Sequence, residues 1–169
     1  MARLNMRAVA QFLTLATIAS VVPFFIHLQW LTGPLVDSIL IITLFLVGTR
    51  SALVLCLVPS LMALAGGLLP AVLAPVVPFI MVSNVILVLS VEFIYSSMKN
   101  TVKSFWSGVI TGALKKFLFL FFSVSIISRL LIKSELAVKV AQMMSWPQFF
   151  AAFTGGMIAY IVLKSLKRL

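Results

Sequence analysis

The sequence predicts an all-α fold: an integral membrane bundle of six transmembrane helices with both termini cytoplasmic. Three observations predict it. First, 63% of the 169 residues are hydrophobic and only 9% are charged. Soluble domains are nearer 45–50% apolar and about 25% charged. Second, mean hydropathy is +1.24, which a core of this size cannot hide. Third, the apolar residues fall into runs close to the roughly 20 residues that cross a bilayer. The chain reads as one membrane domain over 1–169, in a plasma membrane of bacterial type. Soluble domains, long linkers and low-complexity segments do not show in it. Nor does an internal repeat, so the inverted-repeat plan of many secondary transporters has no support.

The first helix is expected over about 7–27, with Pro23 near its outer end. The preceding MARLNMR resembles the start of a signal peptide. No small-residue cleavage site follows, so this run is read as the first span. A loop, HLQWLTGP, leads to helix two over about 35–48, and GTR at 48–50 breaks it. Helix three covers about 51–66 and contains Pro59. A Gly/Pro-rich connector leads to helix four over about 76–98. Helix five covers about 104–131. The following RLLIKSELAVKVAQMMS has the spacing of a short amphipathic surface helix. Helix six is expected over about 147–164.

Net charge is +10, from 13 basic and 3 acidic residues. The basic residues sit between apolar runs, the pattern of a chain oriented against an anionic inner leaflet rather than one that binds nucleic acid. With the N-terminus inside, the inner segments carry Arg3, Arg7, Arg50, Lys99, Lys103, Lys164, Lys167 and Arg168. The first two outer loops carry no lysine or arginine, and the third carries Arg129, Lys133 and Lys139. Trp30, Trp106 and Trp146 fall near predicted span ends, where tryptophan anchors.

Few residues are equipped for chemistry. There is no nucleotide-binding loop, no Cys/His metal cluster and no serine–histidine–acid set. The chain is therefore not expected to be an enzyme or to hold a metal or cofactor. The single cysteine, Cys56, lies in an apolar run and reads as a small core residue.

The informative segment is TGALKKFLFLFF at 111–122. Ser104, Gly108 and Gly112 step by four along one helix face, where small residues admit a close neighbour. Lys116 is the next step on that face, and Lys115 points about 100° away. A mid-membrane lysine costs about 2.5–3.5 kcal/mol on insertion scales. It needs a wet cavity, an anion or a route to the interface. The functional reading is a cavity lysine that binds a solute. The structural readings are a pair with an internal acid, Asp37 or Glu92, or an offset helix with both lysines interfacial. Asp37 is also placed to cap helix two, and Glu92 to pair with a base near the inner end. Asn84 either bonds a neighbouring helix or faces solute. His27, Gln29 and Trp30 lie just outside helix one, over the mouth of any outward cavity. Small residues mark helix one, with Ala10–Thr14 and Ala16–Ser20 four apart, and helix six, with Ala151, Ala152, Gly155, Gly156 and Ala159. Both are packing faces.

Six short helices without a motor resemble the substrate-binding S components of energy-coupling factor (ECF) transporters. The strings that carry the resemblance are GPLVDSILIITLFLVGTRSAL at 33–53, PSLMALAGGLLP at 59–70, PVVPFIMVSNVILV at 75–88, ALKKFLFLF at 113–121 and PQFFAAFTGGMIAY at 147–160. The resemblance implies a membrane subunit that captures a vitamin or related micronutrient at the outer face. It implies docking on a membrane-embedded coupling protein driven by two cytoplasmic ATPases, then toppling in the lipid bilayer to release the solute inside. The family's solute contacts, carried onto this chain, fall at Gln29, Trp30, Asp37, Asn84, Lys115 and Lys116. The family's docking alanines correspond to Ala10, Thr14, Ala16 and Ser20, a degenerate version of the motif. The chain also departs from the family at Asp37, where asparagine is usual, and at Ser83, where glycine is usual.

Two other functions compete with solute capture for ATP-driven import. One is a small membrane scaffold or assembly subunit. The other is a small gradient-driven permease, for which Glu92 is the candidate mid-span acid.

Overall fold

The computed structural model describes residues 6–25, 29–66, 71–98, 101–131, 142 and 144–169. Every regular element among them is helical. In chain order they are α1 (Met6–Phe25), α2 (Gln29–Leu46), α3 (Thr49–Leu55), α4 (Val58–Ala65), a 3₁₀ turn (Ala71–Val76), α5 (Val77–Ser97), α6 (Val102–Leu131) and α7 (Trp146–Ser165). Among the described residues, Ala74–Ser97, Val102–Ile127 and Trp146–Ser165 are long and apolar enough to cross a membrane. Shorter apolar helices cover Met6–Val21, Leu31–Leu46 and Thr49–Ala65. The surface carries large apolar side chains, among them Leu13, Val54, Phe93, Phe122, Ile126 and Ile161. Lipid suits such a surface and water does not.

Three expected boundaries move. Helix two begins at Gln29, not 35, so most of HLQWLTGP is helical rather than loop. Gly33 does not end it, because the α2 backbone lies against α7 there. A Cβ on Gly33 would meet the Cβ of Ala151 at 3.1 Å. Pro34 lies inside α2, where it cannot bond the carbonyl four residues before it.

The expected third helix is two helices, α3 and α4, broken at Cys56–Leu57. Pro59 lacks the N–H that would reach back to Leu55. The Leu57 N–H instead donates to Val54 in a tighter turn.

Helix five starts at Val102, because Thr101 and Ser104 cap it reciprocally. The Thr101 N–H donates to the Ser104 hydroxyl at 2.9 Å, and the Ser104 N–H donates to the Thr101 hydroxyl at 3.3 Å. The break at GTR falls as expected. Gly48 takes φ 114°, which glycine alone adopts freely, and its N–H closes the turn on Thr43. The expected surface helix falls mainly on residues 132–141 and 143, outside the described residues, as does His27.

Small residues set the packing. On α6, a Cβ on Gly108 would meet the Val91 Cα at 3.0 Å, and one on Gly112 would meet the Leu87 carbonyl oxygen at 3.1 Å. The two helices therefore run antiparallel with backbones nearly touching. On α7, a Cβ on Gly155 would meet the Asp37 Cβ and the Pro34 carbonyl oxygen at 2.8 Å, while Gly156 abuts the Val109 side chain. Gly33 against Ala151 and Asp37 against Gly155 keep the same offset, so α2 and α7 run parallel. Phe45 meets both Tyr95 and Phe105. That contact puts the ends of α2 and α5 beside the start of α6. Hence α2, α5 and α7 share one direction and α6 opposes them. The core between them includes Leu40, Leu87, Val91, Phe105, Val109, Ala152 and Ala159, all fully buried.

Candidate functional site: a buried ion pair across three helices

The register of α5 and α6 dictates what Lys116 meets. Gly108 lies on Val91 and Gly112 on Leu87, so one more turn brings Lys116 opposite Asn84. The face that carries two glycines thus delivers the lysine into the interior. The close α2–α7 contact turns Asp37 to the same point from the other side.

The Lys116 Nζ donates to Asp37 Oδ1 at 2.5 Å, to Asp37 Oδ2 at 2.8 Å and to Asn84 Oδ1 at 2.9 Å. An ammonium has three N–H donors, and three acceptor oxygens surround this one. Asp37 is 1% exposed, and Asn84 and Lys116 are each 3% exposed. The pair is removed from both water and lipid. Taking two ions out of water costs several kcal/mol each, which only short, fully bonded geometry offsets. Among the described residues no buried side-chain nitrogen or oxygen lacks a partner.

The cluster lies deep. Asp37 is about 12 Å along α2 and Asn84 about 10 Å along α5 at 1.5 Å per residue. Lys116 lies about 21 Å from either end of α6 on the same rise. The neighbouring hydroxyls are committed locally: Ser38 donates to Leu35, Thr43 to Ile39 and Ser83 to Ile80, each at 2.7 Å. They return to their own helix backbones and leave Asn84 as the one uncharged side chain on the ammonium.

Of the six expected solute residues, the structure brings three together: Asp37, Asn84 and Lys116. Lys115 is not among them. It is exposed on the outer face of α6. Gln29 and Trp30 form the first turn of α2 rather than a loop, and their side chains lie outside the described residues. Asp37 does not cap α2, since that helix begins well before it. Glu92 accepts a hydrogen bond from the hydroxyl of Thr49, at the start of α3, rather than taking a basic partner.

The docking quartet on α1 divides. Ala10 and Thr14 are exposed, while Ala16 and Ser20 are half-buried, with Ala16 packed against the core. Sequence reasoning did not single out Gly155 as the residue behind Asp37. The signal was present in the spacing of Ala151, Ala152, Gly155, Gly156 and Ala159. Cys56 is buried in the core, as its apolar run implied.

No family model, no curated protein and no solved structure matches this chain.

Proposed function

We propose that the chain is the solute-binding membrane subunit of an ECF-type importer, crossing the membrane six times with both termini cytoplasmic. The observation that carries solute binding is the buried Lys116–Asp37–Asn84 cluster, and the ECF type is what the resemblance of the helix strings implies. Ionisable groups at membrane depth are expensive and mark solute or ion sites by default. Orientation supports it. Arg50, Lys103, Lys164, Lys167 and Arg168 all belong to the end where α2, α5 and α7 finish and α6 begins. Basic residues favour the cytoplasmic side, so the cluster sits toward the outer half, where a solute arrives.

The solute reaches the ammonium by replacing the Asn84 oxygen, since the carboxylate is the stronger acceptor, and the displaced Asn84 amide then bonds the solute itself. Asp37 keeps the site electrically neutral. An uncharged, carbonyl-bearing micronutrient therefore fits better than an anion. ATP hydrolysis belongs to the two partner ATPases, and docking on the coupling protein uses the exposed Ala10 and Thr14 of α1. Affinity purification of the tagged chain from its own membranes tests the reading. The coupling protein and two ATPases should accompany it. Recovery of the chain alone, without them and without bound solute, contradicts the proposal.

A scaffold reading has one specific observation in its favour: all three donors of Lys116 are already used within the chain. Under that reading the cluster only locks α2, α5 and α6 together, and replacing Asn84 changes stability but no ligand affinity.

A further inference from the structure

From the outer face of α5 and α6 we infer that a second copy of this chain docks there, with Lys115 of each copy paired to Glu92 of the other. The inference is independent of whether the chain binds a solute. It starts from Lys115. That lysine is exposed near the middle of α6, and among the described residues no hydrogen bond or ion pair engages it. The Val102–Ile127 span centres on it, so its ammonium cannot reach either interface by extension. A cation held there calls for a counter-charge that the single copy leaves unmade.

Beside it runs an open groove of about 590 Å³. Leu89, Ser90 and Phe93 line it, with Lys115 and Glu92 both on its walls. Phe93 stands proud, 70% exposed. One face thus carries a cation, an acid, a large knob and a hole. A two-fold pair needs that self-complementarity, because each surface must match a copy of itself. The α5–α6 register places Lys115 level with residue 84, about 12 Å along the bundle from Glu92 at 1.5 Å per residue. Helical side chains lean toward their own N-termini. In this antiparallel pair, the lysine and the glutamate lean toward each other's level. Across a two-fold axis along the bundle, the same offset separates Lys115 of one copy from Glu92 of the other. Ser90 is buried at the groove's base, so the open groove above it is what receives the Phe93 ring of the partner copy. In lipid, such packing and a shielded charge pair drive association.

The full chain in liposomes tests this, with dimer fraction read by single-molecule photobleaching at falling protein-to-lipid ratio. The native chain should dimerise. Lys115→Glu and Glu92→Lys should each lower dimer affinity at least tenfold, since each opposes like charges in both pairs. Mixing the two variant preparations should restore dimers, because only the mixed pair matches charge at both contacts. A native chain that is monomeric at every ratio overturns the proposal. So does a mixture no more dimeric than its components. Should Glu92→Lys fail to fold through loss of its Thr49 contact, Lys115→Glu and Phe93→Ala decide the matter. Dimerisation of both at native affinity overturns the proposal, and a tenfold loss in both supports it.

Discussion

Gly155 stands directly behind Asp37: a Cβ on the glycine would lie 2.8 Å from the Cβ of the aspartate. The contact presses α7 onto α2 and aims the carboxylate at Lys116. Gly155→Ala must push the helices apart. It should cost about 1–3 kcal/mol, as overpacking does. It should also weaken solute binding, because it moves Asp37. Unfolding in mixed micelles checks the first effect, and unchanged stability would show that the helices are not in contact there.

Gly48 offers a contrast. Nothing lies within 4 Å of a Cβ placed on it, yet its φ of +114° is one that other residues rarely adopt. Gly48→Ala should cost about 1–3 kcal/mol through backbone strain alone. Because the turn joins α2 to α3, solute affinity should hold. A variant as stable as the native chain would contradict that account of the turn.

The adjacent lysines should behave oppositely. Lys116→Met leaves Asp37 buried without its counter-ion and should destabilise the fold by about 3–5 kcal/mol. Adding Asp37→Asn should recover most of that loss, since no uncompensated charge then remains. Lys115→Met should leave the unfolding midpoint of the detergent-solubilised monomer unchanged. A double-mutant cycle on positions 37 and 116 measures the coupling. Additive effects would mean that the ion pair does not hold the bundle.

On α1, Ala10→Leu and Thr14→Leu enlarge exposed positions. They should abolish recovery of the coupling protein while sparing solute binding. Ala16→Leu should instead destabilise the chain itself, because Ala16 packs against the core. Co-purification combined with a thermal melt separates the two outcomes. Intact complexes with both exposed variants would move docking off α1.

The helical class and most helix centres were legible in the sequence, because apolar run length and Gly/Pro punctuation act locally. The face of α6 that leads to Lys116 was legible too, from Ser104, Gly108 and Gly112. Which acid pairs with which lysine was not. That choice depends on the antiparallel register of α5 and α6 and on the parallel contact of α2 with α7. Both registers come from backbone approach at glycines distant in sequence. The start of α2 was missed for a related reason. HLQWLTGP reads as a loop locally, but packing of Gly33 against Ala151 goes with a helix through most of it. The split of helix three was signalled by Pro59, yet the apolar run reads as one unbroken helix over about 51–66.

The proposed function turns on the Lys116–Asp37–Asn84 cluster as the solute site. Native mass spectrometry of the gently purified chain and of its Asn84→Ala variant tests it most directly. A small molecule should be bound to the native chain and lost, or bound at least tenfold more weakly, in the variant, with the fold intact by thermal melt. A native chain that carries no small molecule would contradict it. So would a small molecule that the variant retains equally well.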